Sequence, residues 1–393
     1  MAGKTVVILG GSIGGLGVAH RLLKHTLPNH PDLQVILVSK KPSKANMLFQ
    51  NSHFYWNVAA VRVIIPDLLQ DDELLQPIAP GLAQYNTVAH PCAAEFILGD
   101  AQSIDPATRS VTISTDQDGT TTTTTRVLAY DYLVIATGSR SAAPGLPWKA
   151  ESTHADLIAS IHRTAARVRA AAHIVVAGGG ATGVEVCGEL RHEFPDKTVV
   201  LVSAGDALVG GDQTAPALER ALASMGVVLR KGVRAVGTKP APPDGRRTEV
   251  ALDNGETLVT DLYLPTVGMA PNSECVPKEL LDDKRHVKAD DYMRVPGADN
   301  IWAVGDVVGK PTASYLVTEA QASCVAKNIA HVLSGKKQER RGSVMDILLF
   351  STGRSSGVGR YRWVPIPSIA VWIAKSRTLG VERTPKFVDG SMW

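Results

Sequence analysis

Cysteine is scarce, with four in 393 residues. Cys92, Cys187, Cys275 and Cys324 never approach C-x-x-C spacing. That excludes a dithiol redox motif and a cysteine zinc knuckle, and four such residues make no disulfide framework in so long a chain. Neither sign of charge dominates: 41 Lys and Arg stand against 38 Asp and Glu, for a net charge of +3. Such a balance gives no electrostatic case for nucleic acid as a partner. A continuous apolar run of about 18 residues is also missing, so no membrane-spanning helix is expected. The eleven histidines are scattered, and His20, His25 and His30 recur in steps that do not share a helix face. With no Ser/His/Asp grouping either, a hydrolase or a metal enzyme is not indicated, and no metal site is expected.

The N-terminus starts like a signal peptide, with Lys4 followed by an apolar run. Its glycines fall at turn positions, however, and no small-residue cleavage site follows cleanly. The order Met1-Ala2-Gly3 does not place glycine second, so N-myristoylation is not indicated. The expected location is therefore cytoplasmic.

What the chain has is glycine, 35 residues of it, and much of it is organised. Residues 5–9 read as a buried strand, Gly10-Gly11-Ser12-Ile13-Gly14-Gly15 as a tight turn, residues 16–23 as a helix and 33–38 as a second strand. A second copy follows: a strand at 174–177, the turn Gly178-Gly179-Gly180-Ala181-Thr182-Gly183, a helix at 184–190 and a strand at 198–202. A single G-x-G-x-x-G is weak evidence. Two, each after a strand and before a helix, point to two dinucleotide-binding units. The turn must let a pyrophosphate approach the backbone at a positive helix end. Ser12 replaces the second glycine of the first turn, and it is small and able to donate to phosphate.

The acid that ordinarily ends the second strand and takes the ribose hydroxyls is absent. Ser39, Lys40 and Lys41 stand there, with Ser39 left to make a weaker hydrogen bond. The corresponding strand of the second unit ends Val202-Ser203-Ala204, with neither an acid to favour NADH nor a base to favour NADPH, so the choice stays open. A third element is Asn300-Ile-Trp-Ala-Val-Gly-Asp306, followed by a helix read at 319–333. An Asp at a strand end can hold a sugar-alcohol hydroxyl, and a following helix N-terminus can stabilise negative charge on a reduced ring.

Between the two units, residues 95–115 and 120–127 alternate like an antiparallel meander, the threonine tract 120–125 reading as an exposed arm. A buried strand at 132–136 ends in Thr137-Gly138. Residues 240–247 read as a loop, 262–266 and 300–304 as strands, and 335–341 as a charged linker into a separate C-terminal module. The domains are expected at 1–145, 146–261, 262–335 and 336–393, the first and third together forming one discontinuous unit. The fold class is α/β: two Rossmann-like dinucleotide-binding domains plus a small C-terminal α+β domain.

Taken together, Gly10–Gly15, Tyr132-Leu-Val-Ile-Ala-Thr-Gly138, Gly178–Glu185, Pro265-Thr-Val-Gly268 and Gly305-Asp306 resemble the two-dinucleotide-binding-domain flavoproteins of the pyridine nucleotide-disulfide oxidoreductase-like superfamily. Three stretches resemble, more narrowly, the apoptosis-inducing-factor-like branch that includes ferroptosis suppressor proteins: Asn57-Val-Ala-Ala-Val-Arg62, Thr352-Gly-Arg-Ser-Ser-Gly-Val-Gly359 and Lys375-Ser-Arg-Thr-Leu379. The resemblance runs essentially end to end. It implies non-covalent FAD on the first unit, NADH or NADPH on the second, and hydride transfer through flavin to a quinone or other lipophilic acceptor. A flavin enzyme tailoring a specialised metabolite is the alternative. Carried over by position, FAD and the nucleotide would be held by Gly10, Ser12, Gly14, Gly15, Ser39, Arg62, Thr137, Gly138, Gly178, Gly180, Gly183, Gly268, Gly305 and Asp306, with Asp306 at the ribityl chain. Glu185 would lie near the nicotinamide and Lys375 in the active site. The segment Asn51-Ser-His-Phe-Tyr-Trp-Asn57 departs from the family's histidine-rich wording.

Trp363-Val-Pro-Ile-Pro-Ser-Ile-Ala-Val-Trp-Ile373, followed by Lys375 and Arg377, is unusually apolar. It is expected to meet a membrane or lipid-droplet surface or to line the acceptor pocket. Domain packing or a homodimer interface is its other use.

Overall fold

The computed structural model describes residues 3–40, 52–116, 123–150, 153–242, 245–311 and 314–393. Of the positions singled out above, residues 1–2, Lys41, Asn51, residues 120–122 and residues 243–244 lie outside the described residues.

The first sheet has five strands in the order Ile301–Ala303, Tyr132–Ile135, Lys4–Leu9, Leu33–Ser39, Ala94–Leu98, every neighbouring pair parallel. A parallel sheet is covered on both faces, so its strands read as unbroken apolar runs. Val6, Val7, Ile8 and Leu133–Ile135 are all fully buried. Ala94–Leu98 is thus an edge strand of this sheet, not the start of the expected meander. The meander proper is Asp100–Asp105, Ser110–Asp116 and Thr123–Ala129, antiparallel throughout. The contribution of Ile301–Ala303 makes the unit discontinuous in sequence.

The second sheet runs Val227–Lys231, Thr198–Ser203, His173–Ala177, Leu262–Pro265, again parallel. Its two faces enter different cores, as the two-residue period of a strand requires. Ile174, Val176, Val199 and Leu201 join the main core. Val175, Val200 and Val202 pack with Val250 and Leu252 of a small antiparallel sheet. Leu262–Pro265 pairs with His173–Ala177, which corrects the boundary drawn at 261/262. A short buried strand reads the same whichever sheet receives it, and here the crossing comes a few residues later. Met269–Pro271 pairs antiparallel with Ser139–Ser141, so the outgoing and returning chains form one two-stranded ribbon.

The C-terminal module is α+β. Ile347–Ser351, Gly357–Tyr361 and Val364–Ile366 form an antiparallel sheet, followed by helical turns at Ser368–Val371, Trp372–Ser376 and Thr384–Val388. It packs closely on the helix Ala181–Glu193: a Cβ on Gly188 would stand 2.8 Å from Thr352 Cα. Trp56 donates through Nε1 to Leu379 O at 2.8 Å, and Phe54 stacks on Phe387 with centroids 5.6 Å apart.

At this junction lies a buried ion pair. Arg62, on the helical turn Ala60–Val63, donates from Nε and Nη2 to the two carboxylate oxygens of Glu189 at 2.8 and 2.7 Å. It also donates to Ser376 O at 2.7 Å and Arg377 O at 3.1 Å. Ser351 Oγ donates to Glu189 Oε1 at 3.0 Å. Arg62 is 1% exposed and Glu189 not at all. The guanidinium fork matches the carboxylate bidentately and leaves donors for two carbonyls. Removing one partner of such a pair strands a buried charge. Arg62→Met is expected to cost about 3–5 kcal/mol in chemical denaturation, and Glu189→Met added to it should restore most of the loss. An Arg62→Met variant as stable as the wild type would show the pair to be incidental.

Candidate functional site

The phosphate turns explain themselves in atoms. Gly10 has φ of 120°, and a Cβ there would stand 2.2 Å from Ala136 O; one on Gly15 would stand 1.8 Å from Gly10 O. Both positions therefore require glycine. Gly14 meets Val304 Cγ2 at 2.9 Å. Ser12 caps the helix Ile13–Arg21 by position, but its hydroxyl makes no capping bond and the first turn holds no acid. A free hydroxyl beside unpaired helix N–H groups is the donor set a pyrophosphate needs.

The second turn repeats the arrangement. A Cβ on Gly183 would stand 1.8 Å from Gly178 O, whereas one on Gly180 would meet nothing within 4 Å, so the space over Gly180 is open. Gly180 is the N-cap of Ala181–Glu193, with no side-chain cap and no first-turn acid. Both turns fit the pyrophosphate of a dinucleotide.

A cleft of about 620 Å³ opens over the first turn, within the ~300–1,000 Å³ usual for cofactor sites. It gathers Gly10, Ser12, Gly14, Ser39, Thr137, Gly138, Gly268, Gly305, Asp306, Glu185 and Lys375 of the expected residues. Gly15, Gly178, Gly180 and Gly183 do not line it; they shape the turns. Arg62 does not line it either. Its donors are committed to Glu189 and to two carbonyls, so its position serves the domain junction. The expected helix at 319–333 begins earlier, at Tyr315, capped by Ser314 Oγ accepting from Val317 N at 3.3 Å. Ser314, Tyr315 and Thr318 line the cleft, so this N-terminus borders the site.

Two ion pairs set the charge of the cleft. Lys375 Nζ lies 2.5 Å from Glu185 Oε1 and donates to Leu349 O at 2.9 Å. Glu185 Oε1 also accepts from Ser351 N at 3.0 Å. The second pair joins Lys149 Nζ to Asp306 Oδ2 at 2.6 Å, with Ser139 Oγ donating to the same oxygen at 2.8 Å. Burial alone would raise the Asp306 carboxyl, but the Lys149 ammonium and the Ser139 hydroxyl outweigh it and hold it below the usual carboxylate range.

Sequence reading missed Lys149, which follows Trp148 in an irregular stretch and has no motif to mark it. It also missed Asn272. That side chain donates to Thr137 O at 2.9 Å while its backbone carbonyl accepts from Thr137 Oγ1 at 2.6 Å, tying the two crossing segments. In the departing segment Tyr55 lines the cleft and donates to Pro147 O at 2.8 Å.

Two glycine turns, an Asp at a strand end and a shared cleft define an FAD- and NAD(P)H-dependent flavoprotein oxidoreductase. A family profile described as pyridine nucleotide-disulphide oxidoreductase matches residues 4–324, and the chain belongs to that family. Oxidoreductase ptaL of Pestalotiopsis fici is 36% identical over 99% of this chain and 100% of its own. Ferroptosis suppressor protein 1 of Homo sapiens is 26% identical, covering 97% of this chain and 95% of that protein. Among solved structures, the sulfide:quinone oxidoreductase of Aquifex aeolicus superposes with a TM-score of 0.76 at 19% identity, covering 98% of this chain and 92% of that one.

A carboxyl whose pKa is lowered on folding contributes stability above its unfolded value and loses it as pH falls through the folded value. Lys149→Met leaves burial opposed only by the Ser139 hydroxyl, so the Asp306 carboxyl rises from its depressed value. The variant should be less stable than wild type at neutral pH, and the gap should close as pH falls through the depressed folded value of the wild-type carboxyl, below which both carry it protonated. Thermal melting across a pH series reads this; a gap of constant size would refute it.

Proposed function

We infer that the enzyme passes a hydride from NADH or NADPH through FAD to a quinone or other lipophilic acceptor. The observation that carries this reading is the Lys375–Glu185 pair at the cleft wall, carried on the same C-terminal turn that exposes Ile369 and Ile373 to solvent at 63% and 61%. Bound FAD supplies the two-electron chemistry between donor and acceptor. The protein supplies position and charge. Lys375 is held by a carbonyl and a carboxylate, so its ammonium is fixed where negative charge develops on reduction. The N-terminus of Tyr315–Leu333 adds a positive dipole end at the same cleft. Glu185 projects into the cleft from the helix of the second phosphate turn, which suits a place near the nicotinamide.

The sulfide:quinone oxidoreductase that shares the fold acts, by its name, on a quinone. A specialised metabolite as acceptor is the second reading. It is favoured by the greater identity to the fungal oxidoreductases ptaL and phnG, at 36% and 30%, and by Tyr55 and Trp56 in the departing segment. Anaerobic addition of NADH or NADPH should bleach the yellow protein, and a short-chain quinone should restore the colour. Lys375→Met should slow turnover by about 10²–10³-fold. If neither nucleotide bleaches the protein the whole reading fails; bleaching with no quinone response favours the second acceptor class.

The acceptor's route is proposed to be a lipid surface, with the enzyme cytoplasmic and peripheral. Trp363 and Val364 are 73% and 51% exposed beside Ile369 and Ile373, and the Arg362 guanidinium lies 6.0 Å from the Trp363 ring. Aromatic, aliphatic and basic side chains on one edge suit an interface. Among the described residues no helix is long and apolar enough to cross a membrane. Vesicles of anionic phospholipid should float the wild type, and replacing Trp363, Ile369 and Ile373 by serine should abolish flotation. Equal flotation would exclude this surface, and a change in oligomeric state instead would assign it to a homodimer.

A further inference from the structure

The function above uses no histidine, yet two of them, His53 and His286, line the cleft. His53 opens the short strand His53–Tyr55, so residues 53 and 55 share the face that borders the cavity while Phe54 enters the core. His154 is the first residue of the helix His154–Ala170, capped by Thr153. The two imidazoles are stacked, with centroids 3.8 Å apart and planes 13° from parallel. Ser52 Oγ and His53 Nδ1 share a hydrogen bond at 2.9 Å, which leaves Nε2 as the other ring nitrogen. Nδ1 of His154 is buried with no hydrogen-bond partner. Beyond the pair, Asp71, half-buried, lies 3.1 Å from Nε2 of the exposed His162. Titratable groups thus run from the cleft wall to the surface.

Reduction of a quinone needs what hydride does not bring. A hydride carries two electrons and one proton, so NAD(P)H + H⁺ + quinone gives NAD(P)⁺ + hydroquinone. The second proton must come from an acid at the cleft. Lys375 and Lys149 are both engaged by carboxylates, and His286 lies beside one, its Nδ1 3.6 Å from Asp282 Oδ1, whereas His53 is a cleft-lining imidazole with no carboxylate partner among the described residues, able to carry and release a proton.

We propose that His53 is the catalytic proton donor to the reduced acceptor and that His154 is a positioning residue that sets its acidity. This inference rests on the quinone reading. As negative charge gathers on the acceptor oxygen, the N–H bond of protonated His53 breaks and an O–H bond forms, leaving neutral imidazole to be reprotonated from solvent. Stacked rings cannot both be charged without repulsion, so the pair holds one proton at most and His154 makes its neighbour the stronger acid. Burial first, and His154 second, lower the His53 pKa. The groups facing the pair are His154 itself, Asp71 on the short helix Asp71–Leu74, which favours a charged His154, and Lys149 across the cleft. The paired strand Leu75–Pro77 brings no charge.

The test separates the two half-reactions of the FAD-loaded enzyme and adds a reading independent of turnover. Stopped-flow reoxidation by a short-chain quinone should slow as pH rises through the His53 pKa. His53→Gln should flatten that profile and slow reoxidation about 10²-fold at its acid end, while bleaching by NADH stays unchanged. Ring-proton NMR should show His53 titrating below free imidazole, and His154→Gln should raise that value. An unchanged reoxidation profile in His53→Gln overturns the donor role. An unmoved His53 titration in His154→Gln overturns the positioning role. No quinone turnover by the wild type overturns the parent reading and this one with it.

Discussion

The bidentate contact between Arg62 and Glu189 is the fixed point from which the rest of the site is built. Glu189 and Glu185 are four residues apart on one helix, so their carboxylates share a face. One takes Arg62 and the other takes Lys375. Gly188, between them, lets the C-terminal strand approach close enough for Ser351 to touch both, through its backbone N–H to Glu185 and its hydroxyl to Glu189. Arg62 in turn holds the carbonyls of Ser376 and Arg377, immediately after Lys375. The position of the cleft lysine is therefore set by a charge pair that never meets the cleft. Two charges taken wholly out of water make poor sense as a source of raw stability. They make better sense as a means of fixing how the second nucleotide unit, the segment after the first strand pair and the C-terminal module meet.

Two opposed charge pairs stand at the wall of the cleft. Lys375 faces Glu185 and Lys149 faces Asp306, so charge added at one partner is felt by the other. Coulomb energy in a partly dry site is several times its value in water. A group that gains negative charge during reduction would compete with Glu185 for Lys375 without waiting for solvent to reorganise. The same logic separates the two carboxylates. Asp306 is held ionised against burial by Lys149 and Ser139, which keeps it an acceptor for hydroxyl groups rather than a donor.

The fold was legible because its signals are local. A buried parallel strand is an apolar run, and a phosphate turn is glycine at fixed offsets where a Cβ would strike backbone within a few residues or across one neighbouring strand. That reading located both turns, the discontinuous first unit and the C-terminal module. Its errors have the same origin. Ala94–Leu98 and Leu262–Pro265 carry no mark of which sheet receives them, because that is decided by neighbours distant in sequence. Arg62 was assigned by its place in a shared stretch, and nothing in that stretch shows that Glu189, 127 residues on, consumes its donors. Lys149, Asn272 and the stacked histidines are pairs made by the fold: His53 and His154 meet across a hundred residues of chain, and no periodicity encodes such a contact.

The departure in residues 52–57 connects these points. In it Tyr55 and Trp56 bond to backbone carbonyls of Pro147 and Leu379. One of those contacts braces the approach to Lys149, the other the loop after Lys375. Aromatic side chains with a single polar tip hold a geometry well but exchange no proton near neutrality. These two side chains therefore serve the frame of the cleft and not its proton traffic. His53, two residues before Tyr55 on the same strand face, puts an imidazole at the cleft wall from the same segment, so frame and titratable group come from one strand.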